Sequence, residues 1–222
     1  PEDELKNTIY LLQGNVFPEW EEKKIGFSSR LILKAIIKAT GIPQKRVEEL
    51  WNKRGDLGIV AAELIQKKTQ TTLFSTGLTT QKVITNLRKL AELEGQGTVE
   101  RKVSVVTELL TSATPEEAKF VVKTVLQELR VGIAEGIIGG AIAQAFNQEV
   151  KSVEHAYHLT ADYGEVALLA RQKKVGSVSM TPGKPIRSML AILARSAQEA
   201  LEALGTPVQC EYKLDGFRLQ IH

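Results

Sequence analysis

Helical spacing of apolar residues dominates the chain from Leu5 to about Leu204 and constrains its fold more than any other feature. Within residues 31–38, apolar positions recur at helical intervals and lysines occupy the opposite side. Ser28 or Ser29 can cap this helix, and Gly41 can end it. The sequence therefore predicts a mainly α fold.

Start signals divide this pattern into separate helices. Thr114 is followed by Pro115 and two glutamates, which combines a cap, a first-turn proline and early acidic residues. The expected helices run from Pro43 through Trp51, from a cap at Asp56 to about Lys68, from Thr79 or Thr80 through Glu94, from Thr114 onward, and over about 136–146, 149–160 and 163–172.

Composition excludes several classes of protein. Hydrophobic residues make up 43% and charged residues 25% of the 222 residues, which is typical of a folded globular protein rather than a disordered or collagen-like one. Cys210 is the single cysteine, so neither an intrachain disulfide nor a cysteine-based zinc site is expected, and a reducing, cytoplasmic location is predicted. No apolar run reaches the roughly 18–20 residues of a membrane span, and no signal peptide opens the chain. Because Pro1 stands where a start methionine would, we expect the chain to begin inside a longer gene product.

Charge is distributed unevenly along the first 54 residues. Residues 1–22 hold one lysine and six acidic residues, whereas residues 23–54 hold nine basic and two acidic residues. A basic face of this kind can follow the phosphates of a nucleic acid. A solvated helical surface with no such role is the alternative.

The pattern changes near residue 176. Pro182 and Pro185 fall close together, which indicates a linker or a domain boundary. A helix is expected over Ser188 to Leu204, and strands over Val208 to Leu214 and Phe217 to His222. The pair Asp215-Gly216 between them is typical of a β-hairpin.

A two-stranded hairpin is not stable alone, so we expect residues 208–222 to begin a larger β-containing domain. Without that domain, residues from about 206 onward are expected to be mobile or to pair with another chain.

The predicted hairpin carries a candidate nucleophile. Side chains alternate faces along a strand, so Glu211, Lys213 and Asp215 would share one face. A lysine amine becomes nucleophilic when desolvation or a neighbouring cation lowers its pKa. Arg218 could hold phosphate or ribose oxygens through its planar guanidinium group. The alternative is a surface hairpin with a cross-strand ion pair.

Glycines near helix starts form a second group of candidates. A helix N-terminus presents backbone N–H groups that can bind phosphate without reading sequence, and Gly55–Gly58 and Arg130–Gly132 are expected at such starts. The alternative for each is a cap or close helix packing, and close packing is the role expected of the three glycines of the 136–146 helix, Gly136, Gly139 and Gly140. His155 and His158 share a helix face but lack a third ligand, so no metal site is predicted.

These motifs resemble those of one enzyme family. Residues 211–218, Glu-Tyr-Lys-Leu-Asp-Gly-Phe-Arg, are similar to the K-x-D-G-x-R signature of ATP-dependent DNA ligases. Residues 182–191 resemble the entry to the adenylation domain of archaeal and eukaryotic replicative ligases. Residues 55–58 and 128–136 resemble two segments of their helical DNA-binding domain. The four segments occur in the family's order, and the match is closest to the archaeal enzymes.

The resemblance implies a three-step reaction and the residues that perform it. Lys213 would attack the α-phosphate of ATP, the adenylate would pass to the 5′-phosphate of a nick, and the 3′-hydroxyl would displace AMP. Glu211 would accept from the adenine amino group, Arg218 would contact the nucleotide, and Mg²⁺ would neutralise the triphosphate. Gly55, Gly58, Arg130 and Gly132 would contact DNA.

The resemblance also implies how the chain is divided. Residues 1–175 would be an all-helical DNA-binding domain, and residues 176–222 would be the linker and a truncated α/β start of the adenylation domain, a helix plus a β-hairpin. The family's later nucleotide motifs and its oligonucleotide-binding fold would lie beyond residue 222. The chain is therefore expected to be a monomer that binds nicked duplex DNA without ligating it. The parent enzyme would act in replication, repair and recombination, and a sliding clamp is a possible partner of that enzyme.

Three rivals share part of this pattern. NAD-dependent ligases share K-x-D-G, but their signature usually lacks an arginine equivalent to Arg218. RNA ligases and capping enzymes share the motif without a long helical preamble. A helical interaction module with an accidental match is the non-enzymatic alternative. The nucleotide that donates AMP to the full-length protein would separate the first of these from the ATP-dependent class.

Overall fold

The architecture is that of a helical protein, seen in a computed structural model that describes residues 2–21, 23–67, 77–129, 135–188, 193–217 and 219–221. Its α-helices within these ranges are α1 (Glu2–Leu12), α2 (Ser29–Thr40), α3 (Gln44–Arg54), α4 (Leu57–Gln66), α5 (Thr80–Glu92), α6 (Thr98–Ser112), α7 (Pro115–Val125), α8 (Glu135–Phe146), α9 (Val150–Thr160), α10 (Tyr163–Arg171) and α11 (Ala197–Leu204). A 3-10 turn at Val175–Ser177 follows α10. The prediction of a mainly α fold is confirmed.

Short polar side chains start many of these helices. Each accepts a hydrogen bond from a backbone N–H of the first turn, a group that has no partner inside the helix. At α7 the cap is reciprocal, because Thr114 accepts from the N–H of Glu117 while the Glu117 carboxylate accepts from the N–H of Thr114. The other side-chain caps of this kind are Asp56, Thr79, Asp162 and Ser196.

The predicted helix bounds agree with the structure in most places and differ at α3, α6 and α11. Pro43 precedes α3 rather than opening it, and α6 is a helix for which the sequence predicted no bounds. The predicted helix from Ser188 to Leu204 is wrong in its first part, since residues 193–196 are not helical and α11 begins at Ala197. The physical reason is a local cap: Ser196 accepts from the N–H of Glu199 at 3.1 Å, and the Glu199 carboxylate accepts from the N–H of Arg195 at 2.8 Å. Residues 189–192 lie outside the described residues.

Two apolar clusters form the core. The larger is built by α2, α4, α5, α6 and α7, with Ile36, Val60 and Leu87 fully buried inside it. The smaller is built around α8, α9 and α10, together with Ile9 of α1. We call α1 to α10 with the following 3-10 turn the helical body. Val175 belongs to the smaller cluster and Val178 packs against it, so the helical body reaches just past residue 175. The predicted domain boundary at 175–176 stays a prediction.

The junction of α1 with α10 is unusually close. A Cβ placed on Gly164 would lie 2.7 Å from Lys6 Cγ and 2.8 Å from Tyr10 Cε1, so only glycine allows this approach. The Tyr10 hydroxyl donates to both carboxylate oxygens of Asp162, at 3.0 and 2.9 Å. Burial, and next the charge of Asp162, raise the pKa of Tyr10 far above its usual value. The phenol therefore stays protonated and holds α1 on the start of α10.

The last part of the chain has a different character. Among the described residues between 178 and 221 there is no β-strand, so the predicted hairpin is not formed there. Tyr212 is 96% exposed and Phe217 fully exposed, which means that neither side chain packs on a core. A hairpin needs further strands or a helix to cover one face, and the described residues supply neither. Within the described ranges, no helix combines the length and the apolar character that crossing a membrane would require.

Candidate nucleic-acid interface

The turn between α3 and α4 contains the first predicted DNA-contact segment. Gly55 ends α3 in the left-handed region at φ 70°, and its N–H donates to the carbonyl of Trp51 at 2.8 Å. Asp56 then caps α4 by accepting from the N–H of Ile59 at 3.0 Å. The cap of α4 agrees with the prediction, whereas α3 continues to Arg54, three residues beyond its predicted end at Trp51.

Gly58 allows α4 to lie directly on α7. A Cβ at this position would lie 2.9 Å from the carbonyl oxygen of Lys119 and 3.0 Å from Lys123 Cγ. Both distances are shorter than ordinary van der Waals contact, so any larger residue would push the helices apart. The packing role that the sequence left open for this glycine is therefore present.

An ion pair joins the start of α4 to α7. Lys123 Nζ lies 2.7 Å from Asp56 Oδ2, with both side chains partly buried. Burial raises the pKa of the Asp56 carboxyl, but hydrogen bonds from Lys123 and from the N–H groups of Ile59 and Gly58 outweigh it, so the pKa lies below its usual value. The carboxylate thus already occupies the N–H groups that would otherwise be offered to phosphate. Contact of Gly55 and Gly58 with DNA stays a prediction.

The second predicted segment begins beside the first. The carbonyl of Lys123 accepts from the N–H of Glu128 at 2.8 Å, where the chain turns out of α7 toward residue 130. Lys123 therefore contacts Asp56 through its side chain and this turn through its backbone. Arg130 and Gly132 themselves lie outside the described residues. Nothing in the sequence near Asp56 or Lys123 indicated that they pair, because they belong to different helices.

Exposed basic side chains line one face of α2. Arg30, Lys34 and Lys38 follow each other at intervals of four residues, and we call them the α2 basic stripe. Lys38 pairs with Glu100 of α6 at 3.1 Å. Arg30 and Lys34 form no ion pair with any other described residue, so their charge faces solvent. The predicted basic surface is present on this helix.

Three other bases of residues 23–54 are paired with carboxylates. Arg54 lies 2.6 Å from Glu63, Arg46 lies 3.6 Å from Glu49, and Lys23 lies 3.0 Å from Glu21. These pairs reduce the excess positive charge that the sequence suggested. The α2 basic stripe is therefore a more specific candidate for phosphate contact than the whole stretch.

Among the described residues, those predicted to hold the nucleotide are not gathered into a pocket. Lys213 and Glu211 are exposed, in a segment without regular structure. Arg218 lies outside the described residues. The carboxamide of Gln220 contacts the linker, accepting from the N–H of Ile186 at 2.9 Å and donating to its carbonyl at 2.6 Å. The predicted roles of Lys213, Glu211 and Arg218 stay predictions.

The glycines of α8 are only partly explained by packing. Gly139 lies against Tyr163, whose hydroxyl would be 3.3 Å from an added Cβ. Gly136 and Gly140 have open space where a Cβ would be. Close helix contact is therefore found at Gly139, and among the described residues no such contact is found at the other two.

Comparisons with known proteins identify relatives along the whole chain. A family model described as DNA ligase N terminus matches residues 1–143. A DNA ligase of Nanoarchaeum equitans is 44% identical over 99% of this chain. DNA ligases of Methanobrevibacter smithii and Thermococcus onnurineus are 41% and 40% identical over 98% and 100% of it. The chain covers 39–40% of the length of these three proteins.

Proposed function

Because the chain belongs to the DNA ligase family whose N-terminal region it matches, we propose that it is the DNA-binding part, and the start of the catalytic part, of an ATP-dependent enzyme that seals nicks in duplex DNA. The similarity to DNA ligases covers 98–100% of the chain in the three relatives. It therefore extends through the linker to the segment that contains Lys213. A helical module with an accidental signature match would not share this similarity.

The α2 basic stripe is the observation that supports DNA binding by this chain. Arg30 and Lys34 project from one exposed face, without a carboxylate partner among the described residues. Cations in that arrangement bind phosphates of any sequence, and binding releases condensed counterions. A nick-sealing enzyme needs such sequence-independent contact.

Contacts to DNA through the two predicted segments are proposed at Gly55, Gly58, Arg130 and Gly132. They are supported by the arrangement around Lys123, which pairs with Asp56 and whose carbonyl begins the turn toward residue 130. Because Asp56 and Glu128 both contact Lys123, the two segments that contain them are proposed to contact neighbouring phosphates. Nicked duplex DNA is the proposed substrate, and the family resemblance adds a sliding clamp as a proposed partner of a monomeric enzyme.

The proposed chemistry at Lys213 is a nucleotidyl transfer. The Nζ lone pair attacks the α-phosphorus of ATP, a P–N bond forms, the bond to pyrophosphate breaks, and the amine releases a proton. A 5′-phosphate oxygen of the nick then displaces the lysine, and the 3′-hydroxyl finally displaces AMP. Glu211 and Arg218 are the proposed contacts to adenine and to the nucleotide.

The attack by a lysine on ATP depends on the groups that surround the lysine. A lysine becomes an effective nucleophile in a desolvated site that also neutralises phosphate charge. Lys213 is exposed here, which supports the proposal that this chain binds DNA but does not ligate. Mg²⁺ is the proposed metal, and among the described residues no group of three or more acidic, histidine or cysteine side chains could hold it.

DNA binding is tested by titrating a labelled nicked duplex with the chain at several salt concentrations. We expect affinity to fall steeply as the salt concentration rises. The double variant Arg30→Ala/Lys34→Ala should make the plot of log binding constant against log salt concentration shallower by about 2, since each lost phosphate contact removes roughly 0.9 from the magnitude of that slope. Lys151→Ala, an exposed lysine of α9, is the matched control and should leave the slope unchanged. Absence of binding at low salt would refute the proposed function.

A further inference from the structure

The linker after the helical body returns to that body and contacts it at two points. The first is Lys184, whose Nζ lies 2.8 Å from Glu165 Oε2 of α10. The same ammonium group lies 5.8 Å from the ring centre of Trp20. Lys184 is therefore held by a carboxylate on one element and an aromatic ring on another.

The second point is Arg187. Its Nη1 lies 3.0 Å from Glu19 Oε2, and its guanidinium carbon lies 5.2 Å from the ring centre of Tyr157 in α9. Its backbone N–H donates to the carbonyl of His158 at 2.8 Å. The Tyr157 hydroxyl donates to the same Glu19 oxygen at 3.2 Å, so the carboxylate accepts from both partners.

The two contacts combine the same kinds of interaction. Each cation meets one carboxylate and one aromatic ring, and the four charged side chains are only 29–34% exposed. Partial burial reduces the screening that makes exposed ion pairs weak. The aromatic partners are themselves fixed, since the rings of Tyr157 and Tyr163 stack with their centres 3.6 Å apart. A linker held in this way leaves the helical body from a defined place.

A third contact connects this place to the segment that carries Lys213. The carboxamide of Gln220 pairs with both backbone groups of Ile186, which lies between Lys184 and Arg187. Lys213 is only seven residues from Gln220 along the chain. The position of this segment therefore depends on where the linker is held.

We propose that Lys184 and Arg187 are positioning residues that together form a two-point anchor and fix where the segment containing Lys213 leaves the helical body. The inference rests on the proposed function, because a lysine that transfers adenylate must reach the DNA that the helical body holds. The anchor restricts the directions in which the nucleophile can be presented to that DNA.

The chain contains its own probes for this anchor. Trp20 lies in the anchor, and Cys210, the single cysteine, is exposed and lies three residues before Lys213. Replacing the second tryptophan, Trp51→Phe, leaves Trp20 as the only donor for energy transfer to a thiol-attached acceptor at Cys210. Time-resolved transfer then reports the distribution of distances between the anchor and the Lys213 segment.

In the single-tryptophan chain we expect a narrow distance distribution. The double variant Lys184→Ala/Arg187→Ala should broaden it at least twofold. Hydrogen exchange at the backbone N–H of position 187 should become about tenfold faster, as loss of two ion pairs with their aromatic contacts implies. The matched control is Lys174→Ala, an exposed lysine near the linker that forms no ion pair with another described residue, and it should change neither measurement.

Two further variants guard against loss of folding as an explanation. Exchanging the charges, with Lys184→Glu and Glu165→Lys together, should restore the narrow distribution that Lys184→Glu alone destroys. Arg187→Lys should retain most of the restraint, because the charge remains opposite Glu19. Helical circular dichroism on every sample checks that the helical body is intact.

Identical distance distributions and exchange rates in the parent chain and the double variant would overturn the anchor, as would failure of the charge exchange to restore them. Binding of nicked duplex is measured on the same samples. If the parent chain does not bind DNA, the proposed function fails whatever the anchor does. If the parent chain binds DNA and the distance distribution is the same in the variants, only the proposal of the anchor is refuted.

Discussion

Replacing Gly58 with alanine should destabilise the helical body, although alanine is the better helix former. The added Cβ would lie 2.9 Å from the backbone oxygen of Lys119, whereas ordinary contact begins near 3.4 Å. Relieving this overlap requires α4 and α7 to separate locally by about 0.5 Å, the difference between those two distances. The opposing atom is backbone and cannot turn aside as a side chain would.

The net effect follows from two opposing contributions. Overpacking a close contact costs about 1–3 kcal/mol. The gain in helix propensity on replacing glycine by alanine returns up to about 1 kcal/mol. Because the opposing atom is backbone, we take the cost from the upper half of its range and expect the free energy of unfolding to fall by about 1–2 kcal/mol. That lowers Tm by roughly 2–8 °C for a protein of this size.

The measurement is denaturant and thermal unfolding followed by helical circular dichroism. Gly140→Ala is the matched control, because Gly140 is also helical but has open space where the Cβ would be. That variant should be stabilised by about 0.5–1 kcal/mol. If Gly58→Ala is as stable as the parent chain while Gly140→Ala behaves as expected, the close approach of α4 and α7 is refuted.

Three further predictions concern chemistry and charge. In a protein that contains the rest of the catalytic part, Lys213→Arg should abolish self-adenylation, because arginine stays protonated and cannot act as a nucleophile. DNA binding should be preserved. A covalent AMP adduct in the variant would show that another residue is the nucleophile. The 222-residue chain incubated with labelled ATP and Mg²⁺ should form little or no adduct and should not seal nicks; efficient sealing would contradict the proposed division of the chain. Because the pKa of Asp56 is lowered in the folded state, its stabilising contribution is complete above the unfolded-state pKa of about 3.9 and is lost as the pH falls through the lower folded-state value. The stability difference between the parent chain and Asp56→Asn should therefore shrink in acid, and a difference that is independent of pH would contradict the pairing with Lys123.

Signals within single helices are sufficient to predict where most helices of the helical body begin and end. The sequence predicts the caps at Asp56 and Thr114, and places the start of α5 at Thr79 or Thr80, because each signal depends on residues within one turn of the helix start. The left-handed end of α2 at Gly41 was identified for the same reason. Where two local signals competed, as before α11, the cap at Ser196 determined the start and the apolar spacing did not.

Tertiary packing determined what no local signal could. The role of Gly58 became evident only from the backbone of α7, and the anchor joins Arg187 to Glu19 across 168 residues of sequence. The predicted hairpin shows the same dependence, since strands are stabilised by neighbours that must be present to pair. The sequence by itself determined helix positions and the candidate nucleophile, because those depend on nearest neighbours along the chain. Only the tertiary structure decided which charges are paired, which glycines are contacts and where the linker is held, because these depend on which helix faces the two cores bring together.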